Sequence, residues 1–319
     1  MTQIRHFTYP SSDHRTQIHA VEWKPEGEVR AILQISHGML EYIERYDEFG
    51  RWMSEQGILV VGNDHLGHGS SVHSEADMGF FADKNGNKAL IADIRQLQRL
   101  MQEQYPDLPY FLLGHSMGSF LARQYLCMYG SRLDGAVISG TGWHSGAEAK
   151  AGMYLCSALS KTRGWRYRSR MVDKLAVGAY NKQFEPARTP SDWLTRDEAV
   201  VDEFRSDPRT QHTFTINAYF NLFLNLNYLS TFRNLKKMPK ELPVFFISGG
   251  QDPVGSFGMG VKKTVLSFQS AGMKHVDCKI YPNDRHEVLN ELNRLEVFRD
   301  ILDWMEPLLL KGDIYGKNL

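Results

Sequence analysis

Hydrophobic residues along this chain fall into two alternating patterns. Short, nearly continuous apolar runs recur as "VRAILQIS" at 29–36, "ILVVGND" at 58–64, "YFLLG" at 110–114, "LDGAVISG" at 133–140 and "PVFFISGGQD" at 243–252. Apolar runs of this length, without polar alternation and bounded by Gly, Pro or Asp, predict strands buried on both faces. "QIHAVEW" at 17–23 and "VDCKIYPND" at 276–284 predict further strands near the two ends of the pattern. Between these runs apolar residues return at helical spacing. Residues 42–57 predict a helix closed by Gly57, and residues 88–105 a helix carrying Leu90, Ile94, Leu97 and Met101 and stopped by Pro106. "MGSFLARQYLCMYG" predicts a third helix and residues 258–271 a fourth. A final helix is predicted with Val288, Leu292, Leu295, Phe298, Leu302 and Met305 on one face.

Strand–helix alternation of this kind predicts an α/β fold, a mostly parallel sheet flanked by helices. The alternation stops between Trp143 and about Leu235. There Arg and Lys cluster in "SKTRGWRYRSR", and "FTINAYFNLFLNLNYLSTF" fills 214–232 with aromatic and apolar residues. We read 143–235 as a helical cap, or lid, inserted between two strands of one sheet, leaving 1–142 and 236–319 as the core.

Composition narrows the function classes. Lys+Arg and Asp+Glu number 37 each, so the chain has no basic footprint for nucleic acid. Cys127, Cys156 and Cys278 are far apart and odd in number, which argues against a disulfide framework or zinc site and for a reducing compartment. No secretory h-region and no long apolar span are present, so the expected setting is cytoplasmic, without a transmembrane segment. The arginines at 163, 166, 168 and 170 read first as a solvated face; contact with phosphate or lipid headgroups is the sharper reading. Oligomeric state is not legible.

The chemistry centres on "GHSMG" at 114–118, which matches G-x-S-x-G between a predicted strand and a predicted helix. A strand turning sharply into a helix pushes the serine out at the strand's C-terminal end, and the helix N-terminus offers free N–H groups to negative charge. Ser116 is therefore the candidate nucleophile. A serine needs a base, and the base an orienting acid. Such groups gather at the C-terminal ends of parallel strands. His286 follows the last strand; His275 precedes it, at the opposite edge. Asp252 follows the strand at 243–248, Asp277 would lie inside a strand, and Asp284 is the rival acid. The order Ser116, Asp252, His286 is that of α/β-hydrolases. The expected oxyanion donors are the backbone N–H groups of Met117 and, from "HGMLEY", Met39. His65 and His68 lack a third ligand and read as turn residues; no metal and no cofactor are expected. Phe214, Tyr219, Phe220 and Phe223 read most simply as cap-helix packing, and more sharply as the lining of an acyl-chain tunnel.

Taken together, "HGMLEYIERYDEF", "DHLGHGSS", "GHSMGS", "GGQDPVG" and "RHEVLNE" resemble the monoacylglycerol lipase and lysophospholipase branch of the serine α/β-hydrolases. The resemblance spans residues 37–292 and covers the cap poorly. It implies an eight-stranded core with a helical cap, hydrolysis of esters of long or medium acyl chains, nucleophile, acid and base at Ser116, Asp252 and His286, and oxyanion donors at Met39 and Met117. The family usually carries a second glycine and then Glu-His after its His-Gly; here Leu40, Glu41 and Tyr42 stand there, which places Leu40 at the acyl side of the site. Ser119 replaces a frequent glycine. A general carboxylesterase and a peptidase or amidase on the same core are the enzymatic rivals. A non-catalytic ligand-binding protein is the rival of another class, against which the intact Ser, Asp and His argue.

Overall fold

In the computed structural model, which describes residues 2–309, the apolar runs form the inner strands of one eight-stranded sheet. Met1 and the end of the expected core segment, 310–319, lie outside the described residues. The strands are β1 (Thr2–Pro10), β2 (Gln17–Pro25), β3 (Ala31–Ser36), β4 (Ile58–Asn63), β5 (Tyr110–His115), β6 (Gly135–Ser139), β7 (Val244–Gly249) and β8 (Val276–Tyr281). Their spatial order is β1-β2-β4-β3-β5-β6-β7-β8. β1 pairs antiparallel with β2, and β2 antiparallel with β4; every other pairing is parallel.

Strand residues alternate between two apolar layers, which is why the inner runs show no polar alternation. On β5, Phe111 and Leu113 pack with α1 (Asp47–Glu55) and α10 (Arg294–Leu309), whereas Tyr110 and Leu112 face α2 (Gly86–Gln104) and α3 (Met117–Tyr129). Between β6 and β7 the chain forms no strand but α4 (Gly146–Arg163), α5 (Arg170–Ala176), α6 (Glu198–Ser206), α7 (Ile216–Leu229) and the short α8 (Phe232–Leu235); α9 (Met259–Ser270) follows β7. α4 opens on a capping box: the Glu148 N–H donates to Ser145 Oγ at 3.2 Å and the Ser145 N–H to Glu148 Oε2 at 3.1 Å. A cap of this type contributes about 1 kcal/mol.

Three expectations need correction. β1 was not anticipated as a strand, because an edge strand covered on one side is mostly polar and its apolar signal is weak. The helix expected over 42–57 begins as a 3-10 turn, Ile43–Tyr46, before α1. The last helix starts later than expected, and only the C-terminal part of its expected face, Phe298, Leu302 and Met305, packs inward. Val288 is buried in a separate 3-10 turn, Leu292 and Leu295 are exposed, and α10 buries Val297, Phe298, Ile301, Met305 and Leu309.

The sheet order fixes where ligands can approach. The chain leaves β3 toward β4 on one side, while β5 lies on the other. The loops after β3 and β5 therefore diverge and open a crevice at the strands' C-terminal ends.

Candidate active site

Ser116 sits between β5 and α3 at φ 52°, ψ −120°, a conformation rarely open to a residue with a side chain. The surroundings enforce it. A Cβ on Gly114 would lie 2.4 Å from the Gly118 carbonyl oxygen, and one on Gly118 would lie 1.9 Å from the Ser36 carbonyl oxygen. Both glycines of the motif are thus required by the approach of backbone to backbone. The Ser116 N–H donates to the Ser139 carbonyl at 3.0 Å, tying the turn to the end of β6. The Ser116 carbonyl accepts from the Ser119 N–H and hydroxyl, at 2.9 and 2.6 Å. The side chain is half-buried, and its hydroxyl makes no hydrogen bond among the described residues.

His286 and Asp252 meet across the loops that follow β8 and β7. His286 Nδ1 lies 3.0 Å from Asp252 Oδ1, and both side chains are buried. The carboxylate can only accept, so Nδ1 carries the proton and Nε2 is left as the basic nitrogen. Asp252 Oδ1 also accepts the Val254 N–H at 2.8 Å, which fixes the carboxylate. Burial works against the imidazolium, but the charge and hydrogen bond of Asp252 outweigh it, and the His286 pKa is raised above its ordinary value. The rival Asp284 does not reach this histidine: its Oδ1 accepts from Arg196 Nη2 at 2.7 Å.

The serine and histidine share neighbours. Gly140 directly follows Ser139, and a Cβ there would lie 3.0 Å from His286 Cε1. A Cβ on Gly38 would lie 3.0 Å from Ser116 Cβ. The loop after β3 thus closes one side of Ser116, and the histidine loop reaches Gly140, the residue after the Ser139 carbonyl that holds the Ser116 N–H. His115, the second residue of the motif, packs its ring 4.7 Å from that of His286. Burial, then the neighbouring His286 charge, draw His115 down to about 3, so it stays neutral and is no competing base.

Sequence reasoning missed several supporting groups. The Trp193 ring lies 4.9 Å from that of His286, tilted by 37°, and the Trp193 carbonyl accepts the His286 backbone N–H at 3.3 Å. Glu41 accepts the Gly38 N–H and, at 3.0 Å, the Tyr46 hydroxyl. Arg45 links Glu41, at 3.0 Å, to Glu287, which it grips through two bonds of 2.8 Å. Although burial opposes it, this grip holds Glu287 down at about 2, while burial pushes Glu41 up. The i,i+4 spacing of Glu41 and Arg45 was visible in "LEYIER"; their meeting with Glu287 was not. The Gly38 N–H is occupied, whereas the N–H groups of Met39 and Met117 have no hydrogen-bond partner among the described residues. Leu40 follows at φ 59°, in the left-handed region that explains a glycine at this position in the family.

The other expected residues are used in packing. Phe214 and Tyr219 are fully buried, and the Tyr219 hydroxyl donates to Asp173 Oδ1 at 2.6 Å. The Phe220 ring lies 5.2 Å from Trp165, and Phe223 covers Gly152 of α4. Two cavities of about 490 and 220 Å³ touch none of these four aromatics. His65 and His68 are buried; His65 Nε2 lies 3.0 Å from Ser36 Oγ and His68 Nδ1 3.1 Å from the Leu66 carbonyl. No group of three or more His, Cys, Asp or Glu is placed to hold a metal ion among the described residues. Of the arginines expected on a solvated face, Arg166 pairs with Asp77 at 2.6 Å and Arg168 donates to the Met78 carbonyl at 2.6 Å, so those two fasten the inserted helices to the core.

The family described as serine aminopeptidase, S33, matches residues 27–293. A monoglyceride lipase of Rattus norvegicus is 26% identical over 89% of this chain and 84% of its own length. A monoacylglycerol lipase of Mycolicibacterium smegmatis is 24% identical over 89% of this chain and 90% of its own. Among solved structures, a highly thermostable carboxyl esterase from Bacillus coagulans, in complex with glycerol, superposes with a TM-score of 0.90 at 28% identity, covering 97% of this chain and all of that one.

Proposed function

This chain belongs to the serine aminopeptidase, S33, family, and from that premise we infer that it is a serine hydrolase cleaving carboxylic esters of acyl chains, monoacylglycerol lipase- or lysophospholipase-like. The observation that carries the reading is the buried Asp252–His286 pair, whose carboxylate takes Nδ1 and leaves Nε2 as the basic nitrogen, together with a serine held out on a strained turn. In the proposed reaction His286 Nε2 takes the Ser116 proton as the serine attacks the ester carbonyl. The N–H groups of Met39 and Met117 hold the oxyanion. His286 then protonates the leaving alcohol, and water activated by the same nitrogen releases the acid from the acyl-enzyme. Asp252 stays ionised throughout and orients the imidazole.

Residues 143–235 act in this reading as the cap over the site, with Trp193 reaching down to His286. Met39 and Leu40, half-buried beside Ser116, would meet the acyl chain. Exposed Tyr154, Met171 and Leu175 stand with Arg163 and Arg170 on the cap, a combination that favours contact with a lipid surface.

The test is an activity panel of monoacylglycerols, lysophospholipids, short p-nitrophenyl esters and an aminoacyl p-nitroanilide, with the lipids also presented in liposomes and Ser116→Ala as blank. Hydrolysis of the esters with the anilide inert supports the reading. Turnover of the anilide alone would replace it with the peptidase alternative.

A further inference from the structure

Arg123 is a cation in the core without a counter-charge. It lies on α3, whose neighbouring Phe120, Leu121, Ala122 and Leu126 are apolar core, and it is 4% exposed. Its Nη1 donates to Thr141 Oγ1 at 3.1 Å and to the Gly142 carbonyl at 2.9 Å, both neutral acceptors. Its Nε is buried with no partner, and no carboxylate pairs with it among the described residues. The Phe120 and Phe268 rings lie 5.8 and 6.0 Å from the guanidinium carbon. Burial draws the guanidinium down to about 10, which leaves it positive at neutral pH. Buried charges of this kind are expensive and are ordinarily paired.

The same residue lines a solvent-open cavity of about 220 Å³ together with Trp143, His144, Leu226, Leu229 and Phe232. None of Ser116, Asp252 or His286 lines it. His144 is held neutral, drawn down to about 4 by burial and by the Arg123 charge. The cavity therefore offers one unpaired cation beside apolar side chains, with Ser145, Ser230 and Ser267 completing its lining.

We propose that this cavity binds a small monocarboxylate with a short apolar tail, its carboxylate taken by the Arg123 guanidinium through Nη2. A hydrogen bond between an arginine N–H and a carboxylate is charge-assisted and about twice as strong as a neutral one. A cavity of about 150 Å³ holds benzene, so this one admits a ligand of about eight heavy atoms, the size of hexanoate. A single cation among apolar walls suits one negative charge with a hydrocarbon tail, and suits inorganic phosphate poorly. The assignment does not depend on Ser116 being the nucleophile.

Thermal unfolding of the full chain with hexanoate, 1-hexanol or inorganic phosphate, at matched ionic strength, tests this. Hexanoate should raise Tm progressively with its concentration, while hexanol and phosphate leave it unchanged. Arg123→Met keeps the volume and removes the lone charge, so it should fold at the wild-type Tm or above while binding hexanoate about tenfold more weakly or worse. Ser230→Trp, on the exposed rim of the cavity, should abolish the shift with Arg123 intact. A hexanoate shift that survives both substitutions places the acid elsewhere, such as beside Ser116, and overturns the proposal. Equal shifts from hexanol or phosphate, or no shift from hexanoate, overturn it as well.

Discussion

Replacing Gly118 by alanine tests how tightly the nucleophile turn and the oxyanion loop are built together. The new Cβ would sit 1.9 Å from the Ser36 carbonyl oxygen and 2.5 Å from that of His37. Both atoms are backbone, so no side chain can rotate away. Reaching even 3.0 Å from Ser36 requires a separation of 3.0 − 1.9 = 1.1 Å between the start of α3 and the end of β3. The first element carries Ser116 and the Met117 N–H; the second carries Gly38 and Met39. Overpacking of this kind costs about 1–3 kcal/mol of stability. A displacement of about 1 Å at reacting groups costs on the order of 10²-fold in rate. The two effects separate cleanly. A domain stable by about 5–15 kcal/mol remains overwhelmingly folded after losing 3 or less, so a hundredfold loss of turnover cannot come from unfolding. The assay is urea denaturation beside kcat/KM for p-nitrophenyl butyrate, with Gly27→Ala, where a Cβ meets nothing within 4 Å, as the control. Wild-type stability together with wild-type kcat/KM in Gly118→Ala would refute the reasoning.

Two predictions concern pH. His286 acts as base in its neutral form and its pKa is raised, so kcat/KM should fall on acidification through a value above the ordinary histidine 6.5. In Asp252→Asn the acid limb should move to lower pH, because burial remains and the stabilising charge is gone, while kcat drops by about 10⁴. An unmoved limb would mean that another group titrates. His212 is drawn down to about 4 by burial and by the Arg168 charge, which together outweigh the opposing contact with the Arg209 backbone. Its folded pKa is depressed, so it contributes stability that is present above the unfolded pKa of about 6.5 and lost as pH falls toward 4. His212→Phe should therefore recover about 1 kcal/mol at pH 5.5 relative to its effect at pH 8, read by urea denaturation at the two pH values. An identical effect at both would contradict the assignment.

The inner sheet was legible because β3 to β7 are buried on both faces, and continuous apolar runs have few alternatives to that role. β1 escaped because it pairs with β2 alone and most of its residues are not buried, which leaves a weak apolar signal. The start of α10 was misread because exposed leucines at 292 and 295 extend the apolar spacing of Phe298, Leu302 and Met305 beyond the part that the fold buries. Ser116, Asp252 and His286 could be nominated because each stands just beyond a predicted strand, a local property that topology turns into proximity. The Arg45 link between Glu41 and Glu287, the Trp193 ring over His286 and the unpaired Arg123 are contacts between segments far apart in sequence. No periodicity announces them. The aromatics of α7 show the converse: their composition suggested a lined tunnel, and their packing against α4 and Trp165 uses the same surface.

The central claim is that Ser116 is the nucleophile. A fluorophosphonate probe followed by peptide mass mapping tests it most directly. The account predicts one adduct, on the peptide containing Ser116, formed in step with loss of esterase activity. It also predicts no labelling of Ser116→Ala, whose kcat should be lower by on the order of 10⁴–10⁶. An adduct on another residue, or unlabelled protein that hydrolyses p-nitrophenyl esters at the wild-type rate without Ser116, would contradict it.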